Sequence, residues 1–262
     1  MKVDAQRFEV RLARDESEIR AAQRLRYTVF VEEMGASASP ESHELRLERD
    51  RFDPFFDHLL LIDRQRPGVD GANVVGVYRL LRGKVADAGP GFYGQSEYDL
   101  TPLASLGRET VELGRSCVHP EYRGGVAMHL LWSGLGEYVI RHDVEVLFGV
   151  ASFPGTDLGA LALPLSHLHH SHLAPKELRV RALQDHYVEM NLMPADQIEP
   201  RQAMRQMPPL IKAYLRLGGV VGEGAFIDHD FNTIDVCLLM DTVAMTDRYK
   251  DMYTRSAGRG TA

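Results

Sequence analysis

A glycine turn between a strand and a helix is the strongest chemical feature of the sequence. Residues 109–118, ETVELGRSCV, alternate apolar and polar side chains as a strand does, HPEYRGG follows, and helical spacing begins near residue 126. Such a turn presents backbone N–H groups to an anion, Arg123 adds positive charge, and Gly124 and Gly125 allow close approach of the backbone. The turn suits the phosphate of phosphopantetheine, although an ordinary strand-to-helix turn carries similar glycines.

A carboxylate lies in the middle of this strand. Strict alternation predicts two faces, one with Glu112, Gly114 and Ser116 and the other with Val111, Leu113, Arg115 and Cys117. Taken alone, a surface glutamate on an edge position explains Glu112 better than a functional carboxylate does.

The elements around this turn predict a mixed α/β sheet. The predicted strands are 8–13, 57–63, 74–81, 109–118, 145–151, about 220–228 and 234–241. The predicted helices are one that Asp15 and Glu18 cap and that runs to about Met34, one at 126–142, and helical patterns over much of 157–216, interrupted at Pro164, Pro175, Pro194 and Pro208–Pro209. Residues 83–107 are rich in glycine, proline and aspartate and predict a long loop.

Composition excludes several classes of protein. The 262 residues are 44% hydrophobic, which favours one large domain over two. The net charge of −7, without a basic stripe, makes nucleic acid an unsuitable partner, while a local basic patch could still meet an acidic carrier protein. The two cysteines, Cys117 and Cys237, predict thiols in a reducing compartment. No signal peptide or membrane span is apparent, so we expect a cytoplasmic protein that could touch the inner membrane peripherally.

Longer segments resemble a known family. LRYTVFVEEMG, DRFDPFFDHLLLID, VVGVYRLL and VELGRSCVHPEYRGG resemble the GNAT branch of ornithine–acyl-carrier-protein N-acyltransferases, which make lyso-ornithine lipid, and are similar, more distantly, to acyl-homoserine-lactone synthases. LWSGLGEYV, ASFPGTD, PPLIKAYLRLGG and DHDFNTIDVCLLMD extend the likeness to about residues 8–250. The resemblance implies one domain over residues 1–262, with a largely antiparallel central sheet flanked by helices. It also implies an enlarged helical segment at about 157–209, before the last two strands, and a mobile tail at 251–262.

The resemblance assigns catalytic roles. Glu112 becomes the general base, since an amine attacks a thioester only as the free base and is mostly protonated at pH 7. Tyr214, in a helix that ends as Tyr-x-x-φ-Gly at Gly218, becomes the proton donor to the departing thiolate. Backbone N–H groups near Cys117 and Val118 would polarise the thioester carbonyl.

The resemblance also assigns binding roles. The residues expected around pantetheine and the thioester are Ser116, Cys117, Val118, Arg123, Gly124 and Gly125. The residues expected around the amino acid are Arg79 or Arg115 at its carboxylate and Asp235 or Asp230 at a side-chain ammonium. An internal salt bridge is the alternative for each, and for the two aspartates it is the favoured interpretation. Phe30, Phe148 and Leu161 are expected along the acyl chain, and Arg26 and Asp53 fall where the lactone synthases keep polar residues.

The expected donor is an acyl carrier protein, and no separate cofactor is expected. In this family fold the loop follows the pattern Q/R-x-x-G-x-G/A, whereas YRGGVA fits only at Gly125 and Ala127. That departure suits a pantetheine with a single phosphodiester better than the diphosphate of coenzyme A.

The histidine run SHLHHSH invites a metal interpretation. On a helix, His169 and His172 would share the face of Leu158, Leu161 and Leu165, while His167 and His170 would point the other way. These side chains do not converge as a tetrahedral site requires, so we expect no metal. A polar rim, a cover over the acyl chain or a membrane-facing surface is expected instead.

Three alternatives remain at this point. The chain could acylate another amino acid or amine, act as an acyl-homoserine-lactone synthase, or serve as a catalytically silent lipid-binding module. Retention of Glu112, Tyr214 and the RGG turn together argues against the silent module, and the length after residue 157 argues against the lactone synthase.

Overall fold

The computed structural model describes residues 7–244, which form two compact units. The first unit comprises residues 7–90 and Leu113–Asp143, and the second comprises Gly91–Glu112 and residues 144–244. The predicted tail at 251–262 and the last residues of the predicted core lie outside the described residues.

The part of the chain that the structure describes contains both strands and α-helices. The strands are β1 (Phe8–Leu12), β2 (Asp57–Asp63), β3 (Val74–Arg82), β4 (Tyr98–Asp99), β5 (Thr110–Val118), β6 (Val146–Pro154), β7 (Arg181–Ala182), β8 (Tyr187–Val188), β9 (Val220–Val221), β10 (Ala225–Asp228) and β11 (Thr233–Asp241). The helices are α1 (Glu16–Arg26), α2 (Pro40–Leu45), α3 (Gly83–Ala88), α4 (Thr101–Ala104), α5 (Ala127–Arg141), α6 (Leu158–His172), α7 (Pro200–Gln206) and α8 (Pro209–Arg216).

In the first unit the strand order is β1-β2-β3-β5, to which β5 contributes residues 113–118. β2 pairs antiparallel with both β1 and β3, which confirms the predicted hairpin. Helix α5 lies close to β1 and β2, since a Cβ atom on Gly134 would lie only 2.4 Å from Cγ1 of Val10. A glycine is therefore required where this helix crosses the sheet.

Helix α1 begins as the sequence predicts. The Asp15 carboxylate caps the helix by accepting hydrogen bonds from the N–H groups of Ser17 and Glu18. Glu18 does not complete a capping box, because its carboxylate binds Arg11 and the N–H of Arg14. A π-helical turn, Tyr27–Glu33, continues the helix to the predicted end.

In the second unit the strand order is β5-β6-β11-β10-β8, to which β5 contributes residues 110–112. β5 and β6 pair in parallel, and the remaining pairs are antiparallel. The sheets are thus mixed and mostly antiparallel, as predicted. The strand predicted at 220–228 is divided into β9 and β10, both within the predicted bounds.

The prediction of one long loop at residues 83–107 is wrong. This range contains α3, a 3₁₀ turn at Tyr93–Ser96, β4 and α4. These elements have two to six residues, too few for a hydrophobic period to stand out from the glycines and prolines around them.

The segment before the last two strands contains α6, α7 and α8. Pro164 was expected to interrupt the first of these helices, and that expectation is wrong, since Pro164 lies inside α6. Pro164 is buried together with Leu165 and Leu168, so packing offsets the hydrogen bond that a proline removes from a helix.

The predicted faces of the histidine run also need correction. The rings of His167 and His172 lie 5.3 Å apart, edge to face, although sequence spacing placed them on different faces. His172 is the last residue of α6, and the extended backbone that follows at Leu173 frees its ring to turn back toward His167. Both cysteines are buried free thiols, as predicted. No helix among residues 7–244 is long and apolar enough to cross a membrane.

Candidate functional site

Glu112 is buried on β5 in the second unit, with 2% of its surface exposed. Its two carboxylate oxygens accept hydrogen bonds from the backbone N–H groups of Tyr93, at 2.8 Å, and Gly94, at 2.6 Å. The residue is therefore not a surface glutamate. Its carboxylate holds the 3₁₀ turn that begins at Tyr93, and this contact fixes the direction in which the carboxylate points.

The regular alternation predicted for β5 is broken at Arg115. This residue has a φ of 49°, in the left-handed region that side chains other than glycine rarely adopt. A Cβ atom on Gly114 would lie 3.9 Å from the guanidinium of Arg79, while Arg115 itself binds Glu48 and Asp50. Gly114 and Arg115 thus face the same group of charges, and the predicted assignment of these two residues to opposite faces is wrong.

That group of charges is a buried ion-pair network in the first unit. We call it the charged cluster, and its members are Arg26, Glu48, Asp50, Asp53, Arg79 and Arg115. It contains three cations and three anions and is therefore neutral as a set. Arg26 is fully buried and donates to Glu48 at 2.5 Å and to both oxygens of Asp53, at 2.7 and 2.9 Å.

The carboxylates of the charged cluster are held in the ionised state. Burial by itself raises the pKa of Glu48 and of Asp53, but the neighbouring arginines outweigh burial and leave both pKa values below their ordinary range. The Nε2 of His58 donates a hydrogen bond to the carbonyl oxygen of Asp53 over 3.0 Å, and burial lowers the pKa of His58. Because a carbonyl only accepts, this nitrogen carries the hydrogen, and His58 is a neutral donor at neutral pH.

The two arginines predicted to bind a substrate carboxylate differ in their surroundings. Arg79 is fully buried, donates to Asp50 and Asp53 at 2.8 Å each, and stacks over the ring of Phe56 at 4.3 Å. The Arg115 side chain retains 14% exposure, and its Nε lies 3.1 Å from Glu48. Partial exposure favours Arg115 for contact with a substrate and leaves Arg79 as a structural member of the charged cluster.

The predicted anion-binding turn has its expected backbone. Gly124 adopts a φ of 71°. A Cβ atom on Gly124 would have no neighbour within 4 Å, and a Cβ atom on Gly125 would have its nearest neighbour, the carbonyl oxygen of Tyr122, at 3.7 Å, so the space beside both glycines is open. The following helix, α5, has no side-chain cap at Val126, so its first N–H groups are not satisfied by a side chain there. These N–H groups are suitable donors for a phosphate.

The Arg123 side chain is engaged within the first unit. Its Nε donates a hydrogen bond to the carbonyl oxygen of Val118 at 2.9 Å, and its guanidinium forms a bidentate ion pair with the carboxylate of Glu33. Contact with a carrier protein would therefore require Arg123 to exchange partners.

Cys117 and Val118, which precede this turn, are buried. Burial raises the pKa of the Cys117 thiol to about 12, so Cys117 is not a thiolate nucleophile at neutral pH. Cys117 packs in the hydrophobic core with Ala22 and Leu25. Ser116 Oγ has no hydrogen-bond partner among residues 7–244, which leaves a polar atom for a ligand at the predicted thioester position.

Tyr214 is buried in the last turn of α8 in the second unit. The helix ends at Arg216, Gly218 follows with a φ of 92°, and β9 begins at Val220, so the predicted helix–glycine–strand sequence is confirmed. The N–H of Gly219 closes the turn on the carbonyl of Tyr214 at 2.9 Å.

Asp235 lies on β11 with 4% exposure, beside the carboxylates of Glu97 and Asp228. The alternative residue, Asp230, is exposed in the turn between β10 and β11. The structure therefore favours Asp235 over Asp230 as a residue that could bind a cation.

The three residues predicted along an acyl chain differ in burial. Phe30 is partly buried against the core of the first unit, whereas Phe148 is buried and packs edge-on against Phe92, 5.0 Å away. Leu161 is half-buried on α6. Their role in acyl binding stays a prediction.

Sequence reasoning missed several residues of the site, namely Glu48, Asp50, Gly94, Glu97 and Asp228. The first two follow α2 in a charge-rich run, ELRLERD, that has no period. Gly94 and Glu97 lie in the range mistaken for a loop. One signal was available, since Asp228 precedes a turn at the end of a strand and is paired across the turn with Thr233.

Comparison with known proteins defines the class. The family model of the GNAT acetyltransferase domain matches residues 25–133, which cover the charged cluster and the RGG turn. The fold and this match make the chain a GNAT-type acyltransferase.

Curated relatives identify the family within this class of acyltransferases. The chain is 57% identical over 254 residues to the L-ornithine N(alpha)-acyltransferase of Rhodobacter capsulatus, covering 97% of both chains. It is 45% identical over 254 residues to the L-ornithine N(alpha)-acyltransferase of Agrobacterium fabrum, covering 96% of this chain and 87% of the relative. The chain belongs to the L-ornithine N(alpha)-acyltransferase family.

Solved structures share the fold at low identity. FeeM, an N-acyl amino acid synthase from uncultured soil microbes, superposes with a TM-score of 0.52 at 12% identity, covering 91% of this chain and 92% of that one. The CoA-dependent acyl-homoserine lactone synthase BjaI superposes with a TM-score of 0.50 at 16% identity, covering 92% and 83%. These likenesses confirm the GNAT-like fold.

Proposed function

We propose that this chain transfers a long 3-hydroxyacyl group from acyl carrier protein to the α-amine of L-ornithine, which gives lyso-ornithine lipid. The observation that carries the proposal is the 57% identity, over nearly the whole chain, to an L-ornithine N(alpha)-acyltransferase. The matched length is 254 of the 262 residues of this chain.

In the proposed reaction the free α-amine attacks the carbonyl carbon of the thioester. A C–N bond forms, the C–S bond breaks, and pantetheine leaves as a thiolate. Glu112 accepts the proton of the amine, directly or through a water molecule, and Tyr214 returns a proton to the sulfur. Backbone N–H groups of residues 117 and 118 stabilise the negative oxygen of the intermediate.

Binding of ornithine uses charge. Arg115 binds the α-carboxylate, and this contact places the α-amine beside the thioester. The Arg115 side chain is partly exposed, and Glu48 and Asp50 hold its guanidinium in place. No separate cofactor takes part, since the donor brings its own phosphopantetheine.

The proposed donor is a carrier protein rather than coenzyme A. The turn lacks the full diphosphate pattern, and Arg123 is already paired with Glu33. Acyl carrier proteins are acidic, so Arg123 would contact the carrier by leaving Glu33. A long acyl product is amphiphilic, and we expect release of the product at the cytoplasmic face of the inner membrane.

The decisive experiment combines purified protein, a 3-hydroxyacyl carrier protein and ornithine, and reads the product by tandem mass spectrometry. The expected product is Nα-acyl-ornithine. A δ-acyl product, or ready acylation of another amino acid without ornithine, contradicts the proposed acceptor. Binding of acyl chains without turnover would indicate a silent module.

The donor is tested by comparing kcat/KM for acyl carrier protein and acyl-coenzyme A with the same acyl chain. We expect the carrier to be preferred and Arg123→Gln to lower kcat/KM for the carrier alone, with a weaker dependence on salt. Arg181→Gln is the matched control, because Arg181 is similarly exposed and pairs with one partly exposed glutamate, Glu223. Equal efficiency of the two donors would refute the carrier-protein assignment.

A further inference from the structure

Three carboxylates of the second unit converge at one point. Glu97, Asp228 and Asp235 each place a carboxylate oxygen within 4.8 Å of the other two. Glu97 and Asp235 are 4% exposed, while Asp228 is half-buried and connects the group to solvent. We call these three residues the acidic triad.

A buried hydroxyl faces the same place. Thr233 is 2% exposed, and its Oγ1 has no hydrogen-bond partner among residues 7–244. Thr233 pairs with Asp228 across the β10–β11 hairpin and lies two residues before Asp235, so all three side chains are on one face of the hairpin. A buried, unsatisfied hydroxyl on the same hairpin face as Asp228 and Asp235 is able to accept a hydrogen bond from a bound donor group.

The nearest phenol does not supply that donor. Tyr98 directs its hydroxyl to the carbonyl oxygens of Gly224, at 3.1 Å, and Asp235, at 3.0 Å, rather than to a carboxylate. Burial, followed by the charges of Glu97 and Asp235 among others, raises the pKa of Tyr98, so the phenol stays protonated and neutral. Like charges this close repel one another, and a bound cation would relieve that repulsion.

The acidic triad shares a sheet face with Glu112. Glu112 pairs with Phe148 on β6, and Phe148 pairs with Leu239 on β11, so these three side chains lie on one face. Asp235 precedes Leu239 by four residues on β11, and because side chains alternate it lies on that face too. Cys237 lies between Asp235 and Leu239 on the same face. Burial raises the pKa of the Cys237 thiol, and the nearby charges of Glu112 and Glu97 raise it further.

One turn also connects the two places directly. The N–H groups of Tyr93 and Gly94 bind Glu112, and the N–H of Glu97 binds the carbonyl of Gly94 at 3.1 Å. The five residues 93–97 therefore contact the proposed base, Glu112, through their first two N–H groups, and their last residue, Glu97, is a member of the acidic triad. A substrate whose reacting amine meets Glu112 can present a second group to the triad.

We propose that the acidic triad and Thr233 form the subsite for the side-chain ammonium of ornithine, a role that rests on the proposed acyl transfer to this amino acid. An ammonium group has three N–H donors, and the subsite offers four oxygen-bearing side chains in a small space. A hard divalent cation would require about six or more oxygen ligands, and Asp228 Oδ1 already accepts two backbone N–H groups, from Asp230 and Phe231.

This subsite also explains the choice of nitrogen. An ammonium held between carboxylates stays protonated and has no lone pair with which to attack a thioester. The α-amine is then the nitrogen left beside the acyl donor. The subsite therefore determines both the preference for a diamino acid and the site of acylation.

The test compares ornithine with L-norvaline, which has the same carbon chain but no side-chain amine. We expect wild-type protein to prefer ornithine, and Asp235→Asn, Glu97→Gln and Thr233→Val each to lower the ratio of kcat/KM for ornithine to kcat/KM for norvaline. The expected loss is about 10- to 100-fold for each carboxylate. Asp230→Asn is the matched control, because Asp230 is exposed in the same hairpin, and its ratio should not change.

The outcomes separate this inference from the proposed function. Failure of wild-type protein to acylate ornithine refutes the function, whereas normal acylation with an unchanged ratio in the variants refutes only the subsite. Binding of Ca²⁺ or Mg²⁺ that Asp235→Asn abolishes, with the ratio unchanged, overturns the subsite in favour of a metal site. If the carboxylate variants do not fold, the nearly isosteric Thr233→Val still decides, since an unchanged ratio in that variant contradicts the subsite.

Discussion

Gly94 donates its backbone N–H to the carboxylate of Glu112 over 2.6 Å, and a Cβ atom on Gly94 would lie 2.9 Å from the same oxygen. A real Cβ atom cannot approach an oxygen this closely without displacement of one of them. The orientation of the proposed base thus depends on the absence of a side chain at position 94.

The first prediction concerns this glycine. Gly94→Ala should displace the Glu112 carboxylate and lower kcat by about 100-fold, because a misplacement near 1 Å at a reacting group has a cost of that order. Rates and melting temperature would be measured together, with Gly68→Ala as the control, since a Cβ there meets only the Asn73 side chain at 3.4 Å. An unchanged kcat would show that the position of this carboxylate is not critical.

The second prediction concerns the base itself. Glu112→Gln should lower kcat by about 10²–10⁴-fold, because the amide cannot accept the proton of the amine. The amide oxygen can still accept one of the two N–H bonds, from Tyr93 or Gly94, so the fold should persist. Near-normal turnover at pH 7, in a protein with a normal circular dichroism spectrum, would leave Glu112 with the structural role of holding the turn.

The third prediction distinguishes the two arginines. Arg115→Ala should raise KM for ornithine by roughly 10- to 100-fold and reduce the preference for the α-amine, because a charged hydrogen bond to the carboxylate is lost. Arg79→Ala should instead lower the free energy of unfolding by about 3–5 kcal/mol, because Asp50 and Asp53 lose a buried partner. Steady-state kinetics measure KM, and urea unfolding measures the free energy of unfolding, for both variants. The reverse pattern would assign the carboxylate to Arg79.

The fourth prediction concerns pH. The pKa of His58 is lowered in the folded protein, so as pH falls below about 6.5 the unfolded chain takes up a proton that the folded protein does not. Stability should therefore be full above that pH and decline below it, by at most about 1.4 kcal/mol per pH unit.

Urea unfolding at steps from pH 7.5 to 5 tests this on wild-type protein and His58→Gln. His119, His167 and His172 also have lowered pKa values and are present in both proteins, so the difference between the two slopes isolates His58. Parallel slopes would show that His58 titrates alike in the folded and unfolded chains.

Local patterns predicted the main elements well. The α1 cap at Asp15, the β2–β3 hairpin and the α8–Gly218–β9 sequence each depend on residues that are neighbours along the chain. Short elements such as those in 83–107 were not predictable, because two to six residues carry too little periodicity.

The sequence by itself determined the family, the class of reaction and the residues Glu112, Arg115 and Asp235 as candidates, since these depend on residue types and order. Tertiary structure decided which charges meet. Asp53 joins Arg26 and Arg79 across 27 and 26 positions, and no local rule specifies such partners. The left-handed backbone at Arg115 turns its side chain to a face that strict alternation does not predict, because packing over long distances in sequence outweighs local preference.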